Sequence, residues 1–187
     1  MLAIMTLKES VLVQKIRIIT LVATLVAIMS NAAFAAIPIA RGGYVEGLIG
    51  YSKVEDASGL DDANGLGANV NLGYKLLPFI AVEGGYATYG ASNSSFTGAF
   101  TWDIAIKGIV PFSEAGVEAF AKFGPAYIYN QNVPDDGCKY TTNIMYGFGG
   151  SYAYRSNMLF NIAWTKSIGN SDTGDFQLLG LGITYMF

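Results

Sequence analysis

Charged residues recur in this sequence at alternate positions within otherwise apolar segments. Asp103 and Lys107 stand four residues apart in one such segment, and Glu118 and Lys122 repeat that spacing in another. Charged groups in apolar surroundings must pair with one another or stay in contact with water. The spacing therefore predicts interior ion pairs, although the sequence does not fix which acid meets which base. The candidate residues are Glu46, Glu83, Asp103, Lys107, Glu118 and Lys122, with Lys75 near one end of a segment.

The chemistry available to these residues is limited, because the sequence contains no histidine. No Ser–His or Asp–His site can be assembled, so an enzyme is not predicted and hydrolysis by carboxylates alone is the only enzymatic alternative. The acids of DASGLDDANG (residues 56–65) lie near glycines but lack the ligand spacing of an EF-hand loop. We therefore predict no catalytic site, no metal site and no cofactor, and the formal net charge of −3 does not favour nucleic acid.

The elements that must position the charges are segments in which apolar and small or polar residues alternate. A period of two is typical of β-strands, and each segment is long enough for a tilted membrane strand of about 9–11 residues. In the segment 65–75, for example, Leu66 and Leu72 share one face while Asn69 and Asn71 share the other. The eight predicted strands are 43–52, 65–75, 79–88, 96–110, 116–129, 141–154, 156–167 and 176–187.

Composition indicates that the apolar faces meet lipid. The chain is 52% hydrophobic and only 13% charged, about half the charged share of a soluble domain. Long and short connections alternate, and aromatic residues gather near both ends of the strands, as in outer-membrane barrels. We predict an all-β fold, an eight-stranded antiparallel transmembrane up-and-down β-barrel with short periplasmic turns and longer extracellular loops. Pro125 falls within a strand and is predicted to mark a β-bulge. A soluble barrel with an apolar core is the alternative.

The N-terminus has the organisation of an export signal. Lys15 and Arg17 precede an apolar stretch over 18–30, and Ala33 and Ala35 occupy the small-residue positions of a cleavage site. We predict a signal peptide over 1–35 and an outer-membrane barrel domain over 36–187. An N-terminal anchor helix is the alternative.

Three stretches of the chain, AVEGGY (81–86), FAKFGPAY (120–127) and the terminal GITYMF (182–187), carry a family resemblance. Together with the eight segments they make the sequence similar to the small OmpA/OmpX-like outer-membrane β-barrels. The resemblance implies a location in the outer membrane of a Gram-negative bacterium, in contact with lipid and lipopolysaccharide. It also implies that Ile183, Tyr185 and Phe187 form a C-terminal signal for the barrel-assembly machinery.

The same resemblance leaves two functions open. Binding residues concentrate on loops held by a rigid scaffold, so the first is a structural or surface-interaction (adhesin-like) role with an extracellular ligand. The second is a narrow gated channel or small-solute porin, in which the interior ion pairs form the gate. Cys138 falls in a predicted loop and is expected to be a free thiol. The predicted loops carry the acids Glu55, Asp56, Asp61, Asp62, Asp135, Asp136, Asp172 and Asp175.

Overall fold

The computed structural model describes residues 42–55, 63–90, 99–112, 116–130, 139–170 and 173–187. The predicted signal peptide with Ala33 and Ala35, Cys138, and six of the loop acids lie outside these residues. Among the residues that are described, no helix has the length and apolar character to cross a membrane.

The described residues form a closed barrel of eight antiparallel strands, which confirms the predicted fold class. Each strand pairs with its neighbours in the sequence, and the first strand also pairs with the last. The strands extend beyond the predicted segments at several ends because the ladders continue past the apolar positions. They are Gly42–Glu55 (β1), Ala63–Leu77 (β2), Ile80–Tyr89 (β3), Ala99–Pro111 (β4), Val117–Asn130 (β5), Lys139–Arg155 (β6), Met158–Ser167 (β7) and Asp175–Met186 (β8).

The two faces of the barrel wall differ as the alternation predicts. Leu66, Ile104 and Leu181 point outward and are each more than 60% exposed. Similar apolar side chains surround the outside of the barrel. The apolar area that they expose is far larger than the few hundred Å² typical of a patch on a soluble monomer. A hydrocarbon environment removes the cost of that exposure, so the outer surface fits a bilayer.

Aromatic rings form a belt at each end of this apolar surface. Toward the longer connections, the ring centroids of Tyr86 and Trp102 lie 4.6 Å apart. Toward the shorter connections, those of Tyr185 and Phe187 lie 5.7 Å apart. Aromatic residues with polar edges collect at membrane–water interfaces, so the belts mark the two interfaces.

The connections define a turn side and a loop side of the barrel. The shorter ones span 78–79, 112–116 and 156–157, and the longer ones span 56–62, 90–98, 131–138 and 168–174. Gly116 precedes β5 with φ of 78°, a conformation that favours glycine. Its carbonyl accepts a hydrogen bond from the Ala153 amide at 2.8 Å, which ties this turn to β6.

Pro125 is not a bulge, so that prediction is wrong. Pro125 pairs with Ile144 of β6 in an unbroken register. On the other side, the pairing of β5 with β4 omits Ile104 and Ala105 and resumes in the same register. Proline lacks the amide hydrogen needed for the ladder, so pairing is lost locally without an inserted residue. The register irregularities of the described strands occur at 75–77 and 153–155, beside turns.

Replacing Leu181 by arginine tests the lipid-facing assignment. Leu181 pairs with Ile49 and Ile162, midway between the belts. We expect Leu181→Arg to lower the free energy of unfolding by about 2–4 kcal/mol, because a charge near the bilayer midplane loses its hydration. Folding titrations in lipid vesicles measure the change. Gln177→Arg, on the same strand and face beyond the loop-side belt, is the matched control and should cost no more than about 1 kcal/mol. Equal effects of the two variants would contradict the assignment.

Candidate functional site

Four of the predicted charged residues meet near the middle of the barrel and form what we call the central ion network. The Lys107 ammonium lies 3.2 Å from Glu46 Oε2 and 2.7 Å from Glu83 Oε1. Lys122 Nζ lies 3.7 Å from Glu83 Oε2. The four side chains come from β1, β3, β4 and β5 and are almost fully buried. Their inward positions follow from the alternation, but their pairing depends on how far each strand is shifted against the next.

Neutral side chains donate further hydrogen bonds to the two carboxylates of the network. Glu46 accepts hydrogen bonds from Asn71 Nδ2 at 2.7 Å, Asn161 Nδ2 at 3.0 Å and Thr184 Oγ1 at 3.1 Å. The Tyr44 hydroxyl donates to Glu83 at 2.6 Å. A buried carboxylate is tolerated when it has both a counter-charge and several donors. Sequence reasoning did not select these four partners, although Tyr44 shares a strand face with Glu46, and Asn71 and Thr184 share strand faces with glycines.

The remaining predicted charges stand outside this network. Lys75 Nζ lies 3.5 Å from Glu118 Oε2 and forms a separate ion pair toward the turn side. Asp103 is also buried, and its Oδ1 has no hydrogen-bond partner among the described residues. No group of three or more His, Cys, Asp or Glu side chains suited to a metal ion occurs in the described part of the chain.

Apolar side chains fill the barrel on the loop side of the network. This loop-side cluster is centred on Ile128, Phe176 and Leu178, each no more than 1% exposed. The Tyr89 and Phe176 rings meet within it at a centroid distance of 5.1 Å. The loop-side cluster consists of Val54, Ala87, Tyr89, Ala99, Ile128, Phe176 and Leu178.

The turn side of the interior is also packed. Tyr44, Phe120, Leu159 and Met186 belong to one buried apolar cluster there. The gap that they line with Lys75 and Glu118 has a volume of about 20 Å³, roughly the room for a single water molecule. A recess of about 760 Å³ lies instead on the outer apolar surface, beside Tyr86, Trp102 and Tyr127. In the described strands, apolar side chains therefore pack on both sides of the central ion network.

A second polar group lies on the outside, just beyond the loop-side belt, and we call it the rim cluster. Lys166 Nζ lies 2.8 Å from Asp175 Oδ2 and 3.5 Å from Glu55 Oε2. Glu55 also accepts from Lys53 at 2.9 Å and from Gln177 at 2.8 Å. Glu55 and Asp175 were expected in loops, but they pair with each other as strand residues because the β1–β8 ladder continues past the membrane.

The contacts within the rim cluster shift the pKa values of two of its members. The hydrogen bond from Lys53, followed by the positive charge of Lys166, holds the pKa of Glu55 below its ordinary value. The hydrogen bond to Asp175, together with nearby carboxylate charge, raises the pKa of Lys166. Both shifts favour the charged forms, so the ion pairs are intact at neutral pH.

The geometry therefore consists of a closed barrel, an outer apolar band between aromatic belts and a packed charged interior. Residues 19–187 match the family described as the outer membrane protein beta-barrel domain. The chain belongs to this outer-membrane β-barrel family. It is accordingly a protein of the bacterial outer membrane. No curated protein matches the sequence.

Solved structures similar to this outer-membrane barrel include three small bacterial barrels. Neisserial surface protein A is 19% identical with a TM-score of 0.62, over 78% of this chain and 97% of that one. Ail, the attachment invasion locus protein of Yersinia pestis, is 16% identical with a TM-score of 0.56, over 79% of this chain and 100% of that one. The N-terminal β-barrel domain of Pseudomonas aeruginosa OprF is 15% identical with a TM-score of 0.56, over 79% of this chain and 98% of that one. At these identities the likeness establishes a shared fold and nothing finer.

Replacing Lys107 by methionine tests the central ion network. The change leaves Glu46 and Glu83 facing each other without their shared counter-charge, which should cost about 3–5 kcal/mol of unfolding free energy. The same folding titration in vesicles measures it. Combining Lys107→Met with Glu83→Gln should recover part of the loss, since one uncompensated charge is then removed. Lys166→Met in the partly exposed rim cluster is the matched control, with an expected loss below about 1 kcal/mol. A double variant no more stable than Lys107→Met would argue against the pairing.

The rim cluster predicts a small acid-side dependence of stability on pH. The pKa of Glu55 is lowered from 4.5 in the folded state. Its contribution to the free energy of unfolding is therefore complete above pH 4.5 and is lost as the pH falls through the folded pKa. The pKa of Lys166 is raised from 10.5, so its contribution is lost only as the pH rises through that higher value. We expect Glu55→Gln to remove less than about 1 kcal/mol of unfolding free energy at neutral pH. Glu55→Gln should also reduce the loss of stability below pH 4.5. An unchanged dependence of stability on pH in this range would contradict the assignment of the effect to Glu55.

Proposed function

We propose that this outer-membrane barrel is a structural, non-enzymatic surface protein whose interactions are made by its acidic extracellular loops. The observation that carries the proposal is the filled interior. Apolar clusters pack on both sides of the central ion network, so the barrel offers its loops and outer surface, rather than a lumen, for function. A rigid wall also suits a scaffold, because binding loops need fixed ends.

Charge indicates which class of extracellular ligand the loops favour. Within the rim cluster Glu55 and Asp175 are neutralised by Lys53 and Lys166, whereas the loop sequences carry six further acids. A dense acidic surface attracts basic groups and repels anions. Ail has been crystallised in complex with the heparin analogue sucrose octasulfate, which is a polyanion. The loops of the present chain favour the opposite class, a basic protein or peptide segment.

Two further partners follow from the membrane location. We propose that the Lys166 ammonium, which lies just beyond the loop-side belt, contacts the phosphates of lipopolysaccharide at the level of the lipid headgroups. The C-terminal signal Ile183, Tyr185 and Phe187 faces outward, and Phe187 is 77% exposed. Such an outward-facing aromatic terminus is accessible to the barrel-assembly machinery before the barrel closes.

A narrow gated channel is the second candidate. The observation in its favour is that Glu83 has two lysine partners, at 2.7 Å from Lys107 and at 3.7 Å from Lys122. Exchange between these partners would loosen the centre of the barrel. A current would also require the loop-side cluster to part, which makes this candidate the weaker one.

Retention of cells on coated surfaces tests the loop proposal. Cells that display the wild-type barrel should adhere to a polylysine surface more strongly than cells without it, and the difference should shrink with salt as charges are screened. Neutralising Asp61, Asp62, Asp135 and Asp136 to asparagine should remove most of that difference. Glu118→Gln, which neutralises a buried acid, is the matched control and should retain it. Equal retention of wild-type and loop-neutralised cells, or preferential binding to heparin, would contradict the proposal.

Planar-bilayer conductance separates the two candidates. The wild-type barrel should pass no steady unitary current, because the loop-side cluster fills the lumen. Steady currents in the wild type that change with Lys122→Met would favour the gated channel instead.

A further inference from the structure

The recess on the outer surface runs obliquely down the barrel wall. The residues that line it come from five neighbouring strands, β2 to β6. Tyr127 and Thr142 lie three positions from the loop-side ends of β5 and β6, whereas Val70 and Leu72 lie at and beyond the midpoint of β2. Strands of membrane barrels are tilted by about 45°, so a line across them descends through the hydrocarbon. The recess therefore extends from the loop-side belt to the middle of the bilayer, which is the depth of one leaflet.

Two outward positions with little or no side chain create the recess. Gly84 of β3 lies in register between Leu72 and Ile104, and Pro125 lies beyond Ile104 on β5. A Cβ atom added to Gly84 would meet only the Asp103 carbonyl oxygen, at 3.9 Å, so the space above Gly84 is open. Within a bilayer, small residues let a partner approach the backbone closely and gain van der Waals contact. A lipid-soluble group thus packs more closely here than on the surrounding surface.

The lining of the recess changes in polarity along its length. The upper end carries the hydroxyl groups of Tyr127 and Thr142 and the indole N–H of Trp102. Tyrosine and tryptophan direct such polar edges toward the headgroups while their rings contact hydrocarbon. The lower end, at Val70 and Leu72, is entirely aliphatic. The matching occupant has a polar group at the interface and a long aliphatic tail.

The dimensions of the recess favour a lipid chain over a protein. The recess crosses five strands, about 19 Å at a spacing of about 4.8 Å, and covers two rows of outward residues, about 7 Å along the strands. This footprint of roughly 130 Å² is far below the roughly 800 Å² per partner of a stable protein interface. The volume of about 760 Å³ falls in the range of small-ligand sites, about 300–1,000 Å³.

We infer that the recess binds one acyl chain of lipopolysaccharide, with the polar end of the chain at Tyr127 and Thr142 and the tail over Gly84 toward Leu72. Lipopolysaccharide is the source because the longer loops are extracellular, so the recess opens to the outer leaflet. The inference rests on the partnership with this lipid that is proposed above and assigns it a site. Because the acyl chains of lipopolysaccharide share one headgroup, a single seated chain holds the whole molecule against β2 to β6.

Quenching of tryptophan fluorescence tests this inference. The sequence has two tryptophans. Trp102 lines the recess, and Trp164 lies three positions from the loop-side end of β7, outside the recess. Trp164→Phe and Trp102→Phe therefore give two barrels with one reporter each, at matched distances from the loop side. Each barrel is freed of lipid in urea and refolded into phosphatidylcholine vesicles with a fixed fraction of phosphatidylcholine that is spin-labelled on its acyl chain.

Unlabelled lipid A, the acylated anchor of lipopolysaccharide, then competes with the labelled chains. At about tenfold its apparent dissociation constant, lipid A should fill roughly nine-tenths of the recesses and reduce the quenching of Trp102 by about half or more. The quenching of Trp164 should change only as the label is diluted. This comparison of the two reporters needs no substitution within the floor of the recess.

Gly84→Leu in the barrel that retains Trp102 should abolish the response to lipid A, because the new side chain occupies the site. Gly108→Leu is the matched control. It makes the same change at another outward glycine, where an added Cβ would likewise meet only one carbonyl oxygen, that of Ala121 at 3.9 Å. The control should retain the response, and a response that survives Gly84→Leu would overturn the assignment to the recess.

Three other results would overturn the inference. Equal relief of quenching at Trp102 and Trp164 would mean that lipid A has no preferred site. Strong quenching of Trp102 that lipid A does not relieve would assign the recess to phospholipid. A Trp102 shielded from the label at all lipid A concentrations would indicate a second copy of the chain on this face. The measurement involves no extracellular ligand, so each of these results leaves the proposal for the acidic loops to be decided by cell retention.

Discussion

The structure depends on one constraint, which is that no backbone amide or carbonyl group can remain unpaired in hydrocarbon. A sheet satisfies it only by closing, so the pairing of β1 with β8 decides whether this chain enters a bilayer at all. The seam extends from Tyr44 opposite Met186 to Glu55 opposite Asp175. The Phe187 amide also donates to the Gly43 carbonyl at 2.9 Å. The last residue of the chain thus holds the first strand in place.

Closure with eight strands creates a narrow interior that side chains must fill. The outward positions are committed to lipid, so polar residues can lie only inside or beyond the belts. Most of the inward charges are therefore paired within the barrel, and neutral donors such as Asn161 and Thr184 add hydrogen bonds to Glu46. Because Glu46 and Glu83 receive contacts from strands all around the barrel, the polar centre resists shear between strands. Apolar packing on both sides then keeps water from competing for the same hydrogen bonds.

The proposed function places the interactions of the barrel in its loops and at its rim. The wall and interior of the barrel serve stability, as the packing of Phe176 and Ile128 illustrates. Neisserial surface protein A, Ail and OprF share the architecture at under 20% identity. The fold therefore tolerates replacement of most of its side chains.

The sequence by itself determined the eight strands, the lipid-facing side of each and the alternation of turns and loops. Alternation with a period of two is a local property of the sequence. It is clear in this chain because one face of each strand meets lipid and the other faces the barrel interior. Only the tertiary structure decided which charges meet. Asn161 and Glu46, for instance, are 115 positions apart and are joined by the stagger of strands around the barrel. The unbroken register at Pro125 and the pairing of Glu55 with Asp175 were missed because both depend on neighbouring strands. Alternation assigns a side chain to a face, but the shift between strands assigns its partner, and no short stretch of sequence encodes that shift.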